Sequence, residues 1–123
     1  MSLQARILQM SAGMKTPLQI TFREMDPSDA LEEEIRKRAA HLETYFDHII
    51  RCRVIVEAPS THHRHGQQFQ VRVELSVPGT ELIAGDRGGN EDAQLAVRES
   101  FNTAERELKK YVERRLEPHR ETH

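Results

Sequence analysis

A chain of 123 residues and 14.2 kDa has room for one modest domain. With 31% charged residues and a mean hydropathy of −0.71, it has no run near the ~20 apolar residues that cross a bilayer. Residues 1–16 also lack the apolar segment of a secretory signal. A net charge of −2 excludes indiscriminate nucleic-acid binding, and the single cysteine excludes an intramolecular disulfide and fits the reducing cytoplasm.

Residues 1–16 are expected to be a disordered leader, with Met14 as an alternative start to Met1. Leu18, Ile20 and Phe22 then alternate with Gln19, Thr21 and Arg23, which predicts a half-buried strand over 18–24. Asp26 is the expected N-cap of a helix with Pro27 at its first position. Leu31, Ile35, Ala39, Leu42 and Phe46 keep helical period to about Asp47, and the acids of the first turns suit the helix dipole. Cys52, Val54, Val56 and Ala58 alternate with polar neighbours in a second strand, so Cys52 reads as a small buried hydrophobe and not a nucleophile. Pro59 to Gln67 is a polar loop. Phe69, Val71, Val73, Leu75 and Val77 mark the cleanest strand, and Pro78-Gly79 supplies a tight turn in which glycine takes positive φ. Glu81 to Gly85 makes a fourth strand. Asn90 is the expected cap of a long helix starting near Glu91, whose apolar stripe is Ala93, Val97, Phe101, Ala104, Leu108 and Val112. Residues 118–123 read as a flexible tail, which leaves one domain over 17–117.

The order is βαβββα. Each strand and each helix has one apolar face, so the expectation is an α+β fold with two helices on one side of a four-stranded sheet. The opposite sheet face, carrying Arg51, Arg53, Gln70, Arg72 and Glu74, should remain wet. Phe22, Leu42, Val54, Val73, Phe101 and Leu108 should form the core.

On the long helix, Arg106, Lys110 and Arg114 recur every four residues opposite the apolar stripe, a spacing of cations that suits a phosphate backbone. Local charge agrees: residues 104–116 hold five bases against three acids, whereas residues 29–47 hold six acids against three bases. That acidic first helix carries an alternative reading, a regulator that binds a partner protein. Tyr45 and Tyr111 are the aromatic residues best placed to stack on bases. His62, His63 and His65 invite a metal, yet no flanking Asp, Glu or Cys completes a site, and no bound metal is expected. Ser60 and Thr61 beside them lack an orienting third group. Gly85 to Gly89 does not follow a phosphate-loop spacing. No enzyme and no cofactor are expected.

Tyr45-Phe46-Asp47-His48-Ile49, Val77-Pro78-Gly79 followed by Glu81-Leu82-Ile83-Ala84, Glu91-Asp92, and Glu105-Arg106-Glu107-Leu108 together resemble the ribosome hibernation-promoting factor and protein Y family, also known as ribosome-associated inhibitors and sigma-factor modulation proteins. The resemblance covers about Leu18 to Leu116. The segments Glu57-Ala58-Pro59 and His62 to Gly66 look like a divergent subgroup. The resemblance implies a fold similar to double-stranded-RNA-binding domains. It also implies docking on small-subunit ribosomal RNA over the decoding region and suppression of translation in stress or stationary phase. Arg38, Arg106, Lys110 and Arg114 match basic positions of that family, while His41, Thr103 and Val112 stand where members commonly carry lysine. Arg38 and His41 sit near the edge of the first helix's stripe, where they can border a groove between the helices. The expected RNA-binding set is therefore Arg38, His41, Arg106, Lys110 and Arg114, with the small ribosomal subunit as partner, no membrane, and weak self-association left open. Ending after the last helix, the chain resembles the short form, without the second domain that pairs ribosomes.

Overall fold

The computed structural model describes residues 8–10, 16–58, 68–85 and 89–116. Its elements run β1 (Leu8–Met10), β2 (Leu18–Arg23), α1 (Asp29–Glu43), β3 (Arg51–Glu57), β4 (Gln70–Val77), β5 (Thr80–Gly85) and α2 (Ala93–Leu116). The strands lie side by side in that order, with β2 and β3 parallel and every other neighbouring pair antiparallel. The parallel pair needs a crossover, and α1 supplies it.

Register turns the sequence alternation into rows. Leu18, Cys52, Leu75 and Leu82 align across four strands; Ile20, Val54, Val73 and Ala84 form the next row, and Phe22, Val56 and Val71 a third. All of these except partly buried Leu82 are buried, and α1 and α2 close over them. α1 lies against β2 and α2 against β4 and β5, and the two helices touch. The six core residues expected from the sequence are all buried. The other face carries the rows Gln19, Arg53, Glu74, Ile83 and Thr21, Ile55, Arg72, Gly85. There Glu74 is held between Arg53 (Nε to Oε1, 3.1 Å) and Arg72 (Nε to Oε2, 3.0 Å).

Several expectations are corrected. The sheet has five strands: Leu8–Met10, within the expected disordered leader, pairs antiparallel with Leu18–Ile20 and covers the backbone edge of β2. Thr16, also in that leader, is buried; its backbone N–H donates to Glu43 Oε2 (2.8 Å) and its hydroxyl to Glu43 Oε2 and to Ile49 O (3.3 Å). The cap of α1 is Ser28 instead of Asp26, with its hydroxyl accepting from Leu31 N (3.2 Å). Pro27 therefore precedes the helix. The helix also stops at Glu43, and Phe46 reaches the core from the following turn, where its ring packs edge-on to Tyr111 (5.5 Å). The cap of α2 is Asp92, whose Oδ1 accepts from Gln94 N (3.0 Å) and Leu95 N (3.3 Å). Asn90 is committed elsewhere: its backbone exchanges two hydrogen bonds with Phe69, and its side chain accepts from Asp92 N (2.8 Å). Gly79 takes φ +89° in the β4–β5 turn, as that turn requires.

Candidate nucleic-acid interface

Where α1 crosses beside α2, a cleft of about 180 Å³ opens between them. Helical spacing on both sides builds its walls: Glu34, Lys37, Arg38 and His41 from α1, and Phe101, Asn102 and Glu105 from α2, with buried Leu42 below. Arg38 Nε donates to Glu34 Oε2 at 2.6 Å, one turn back along α1. That hydrogen bond holds the Glu34 carboxyl below the ordinary carboxylate value, and the charges of Arg38, Lys37 and Arg98 add to the effect. Glu105 on the other wall accepts from the Tyr45 hydroxyl (2.8 Å) and faces Lys109 Nζ (3.5 Å) and His41 Nε2 (3.8 Å). Lys109 also sits 4.7 Å over the Tyr45 ring, and the Tyr45 hydroxyl holds its ammonium above the ordinary value.

Lys37, Arg38, Arg98 and Lys109 thus surround two carboxylates that are already engaged. Glu34 fixes Arg38 and Glu105 holds Lys109, and with Lys37 and Arg98 nearby a positive excess is left at the rim. An arginine that spends Nε on Glu34 keeps four further N–H donors for an anion. This arrangement is suited to holding phosphate oxygens between two helices.

The residues expected from the sequence fall into two groups. Arg38 and His41 line the cleft together. Arg106, Lys110 and Arg114 do not: all three are exposed, Arg106 donates to Thr103 Oγ1 (3.2 Å), and Lys110 faces Glu107 (3.7 Å). Both of those partners line a different groove, beside β5. The drift follows from the helix itself, since positions four apart advance by about 40° around the axis. Lys37, Arg98 and Lys109 were missed in the sequence because they belong to no single stripe and converge only when the helices meet. Tyr111 is unavailable for stacking: it is buried, and its hydroxyl donates to Pro78 O (2.6 Å). Tyr45 remains exposed at the end of the cleft.

Among the described residues no group of three or more His, Cys, Asp or Glu side chains is placed to hold a metal ion. His62, His63 and His65, and with them Ser60 and Thr61, lie outside the described residues. Among the described residues no helix is long and apolar enough to cross a membrane.

Residues 18–116 match the family model described as Sigma 54 modulation protein / S30EA ribosomal protein. Among solved structures, a ribosomal subunit interface protein from Coxiella burnetii superposes with a TM-score of 0.65 at 22% identity, over 76% of this chain and 94% of that one. The N-terminal domain of Thermus thermophilus Protein Y superposes with a TM-score of 0.62 at 17% identity, over 80% of this chain and 97% of the other. At such identities the superpositions speak for the shared α+β fold.

Proposed function

We propose, because the chain belongs to the Sigma 54 modulation protein / S30EA ribosomal protein family, that it is a non-catalytic, cytoplasmic factor that associates with the ribosome. It binds small-subunit ribosomal RNA near the decoding region and represses translation under stress or in stationary phase. The observation that carries this reading is the family match over nearly the whole folded part of the chain, residues 18–116. The interhelical cleft supports it physically, since Lys37 and Arg38 line it, with Arg98 and Lys109 close by, around carboxylates anchored by Arg38 and Lys109. Arg38 and His41 contact RNA inside the cleft. Arg106, Lys110 and Arg114 lie outside it on the crest of α2 and add a more diffuse attraction.

The partner-protein reading through an acidic first helix has less support. Glu34 is engaged by Arg38, Glu33 faces Arg36 (3.8 Å), and Glu43 is tied to Thr16, so much of that acidity is satisfied within the fold. Salt dependence separates the two readings. Each phosphate neutralised adds about 0.9 to the logarithmic salt slope on duplex backbone and about 0.7 on single strands, whereas a protein surface gives a shallow slope. Co-sedimentation of the full chain with small subunits across a salt series is expected to give a slope of several units. A shallow slope, or no association at low salt, would overturn the reading.

A further inference from the structure

We propose that the outer edge of β5 pairs with the same edge of a second copy of this chain, antiparallel and centred on Ile83, to form a weak two-fold dimer.

Among the described residues β5 ends the strand order, with β4 as its one strand neighbour. Its six residues pair one-to-one with Val77–Arg72 and no bulge interrupts the ladder. An edge strand is usually protected by a proline, an outward lysine, a bulge or short length. Thr80-Glu81-Leu82-Ile83-Ala84-Gly85 has no proline, lysine or arginine, while the opposite edge is closed by a β1 of three residues. Ile83 is 52% exposed on the open face of the sheet. A groove of about 580 Å³ crosses the open face from Arg23 and Arg53 and reaches this edge, where Ile83 and Gly85 of β5 and Thr103 and Glu107 of α2 line it.

The register supplies the charge complementarity that selects a second copy as occupant. With Ile83 opposite Ile83 of the second copy, Gly85 lies opposite the second copy's Glu81, and Leu82 opposite its Ala84. Arg72 is the β4 partner of Gly85, and Ser76 that of Glu81. One row on the open face therefore reads Arg72, Gly85, then Glu81 and Ser76 of the second copy, and symmetry repeats the row. Adjacent strands are about 4.8 Å apart, so Arg72 and the second copy's Glu81 are separated by about 10 Å between Cα atoms, which these two long side chains span. Between them stands a residue with no side chain to block the contact. The fold itself does not demand that glycine: a Cβ at position 85 would meet its nearest atoms at 3.6 and 3.9 Å, ordinary contact distances. Two short strands bury little surface, so the dimer belongs with weak, transient contacts.

Sedimentation velocity of the full chain from about 10 μM to about 1 mM tests the proposal, with no ribosome present, so that its outcome is independent of the ribosome reading. The expected result is a monomer–dimer equilibrium weakened roughly tenfold or more by Ile83→Lys, which sets two ammonium groups opposite each other. Arg72→Glu should weaken it similarly, and adding Glu81→Arg should restore it. Ile83→Cys should give a disulfide-linked dimer with oxidised glutathione, while Gln70→Cys, on the open face two strands from the second copy, should not; the native Cys52 is buried and does not compete. Circular dichroism confirms that each variant is folded. A monomer throughout the range, a dimer indifferent to Ile83→Lys, or a charge swap that fails to restore association would each overturn the proposal.

Discussion

Leu108 has none of its surface exposed and sits where α2 meets the sheet, so Leu108→Ala leaves a cavity that close-packed neighbours cannot fill. Urea unfolding is expected to register a loss of about 2–5 kcal/mol. Cys52 lies in the same core, and burial pushes its thiol from 9.0 up to about 12. Native protein should therefore resist alkylation at neutral pH, whereas unfolded protein reacts. The sign of the pH effect follows from proton binding. As pH rises above 9.0, the unfolded thiol loses its proton while the folded one keeps it, so this group's contribution to stability is present below 9.0 and falls away toward about 12. Chemical unfolding measured between neutral pH and pH about 10 checks the decline. Alternation around Cys52 made its burial readable from the sequence. The role of Tyr111 was not readable: its phenol fills a core edge only because Pro78 O lies 2.6 Å from the hydroxyl, across 33 residues of chain.

At the level of elements, the helices begin where a side chain can satisfy their first N–H groups. Ser28→Ala removes the acceptor of Leu31 N, and Asp92→Ala removes that of Gln94 N and Leu95 N. Each is expected to lower the thermal midpoint, at a cost of about 0.5–2 kcal/mol, while Asp26→Ala should change little. Composition alone could not choose between these residues, since Asp26, Ser28 and Asp29 crowd one start and Asn90 and Asp92 the other. The choice falls to the position at which the chain turns. Asn90 is held in a bridge to Phe69, so the cap moves to Asp92. The three residues of β1 were similarly invisible, because so short a segment carries no readable period.

For the whole molecule, two triple reversals of equal charge change separate position from net charge. Lys37, Arg98 and Lys109 to Glu alters the cleft, and Arg106, Lys110 and Arg114 to Glu alters the crest of α2. All six residues are exposed, so both proteins should fold. Co-sedimentation with small subunits at low salt is expected to fall by orders of magnitude for the cleft variant and by less for the crest variant, and raising salt should narrow the difference. Equal losses would mean that binding reads overall charge and that the cleft has no special part in it.

The amino-acid sequence by itself determined the α+β plan, because period two and period 3.6 are local properties that assign β2 to β5 and both helices their apolar faces. Those faces can all be buried only if both helices lie on one side of the sheet, which is how the core rows from Leu18 to Leu82 and from Ile20 to Ala84 came to be covered. The family resemblance was legible for a related reason, since it rests on short segments whose order and spacing are properties of the chain. The candidate site was legible only in part. Arg38 and His41 stand at the margin of one helical stripe, and that margin becomes a cleft wall. The tertiary structure alone decided that Lys37 joins them, with Arg98 and Lys109 drawn toward the same carboxylates, while Lys110 and Arg114 turn away. Which cations converge depends on the meeting of two helices about 60 residues apart, as the contact of Tyr45 with Glu105 records, and no periodicity within either helix encodes it.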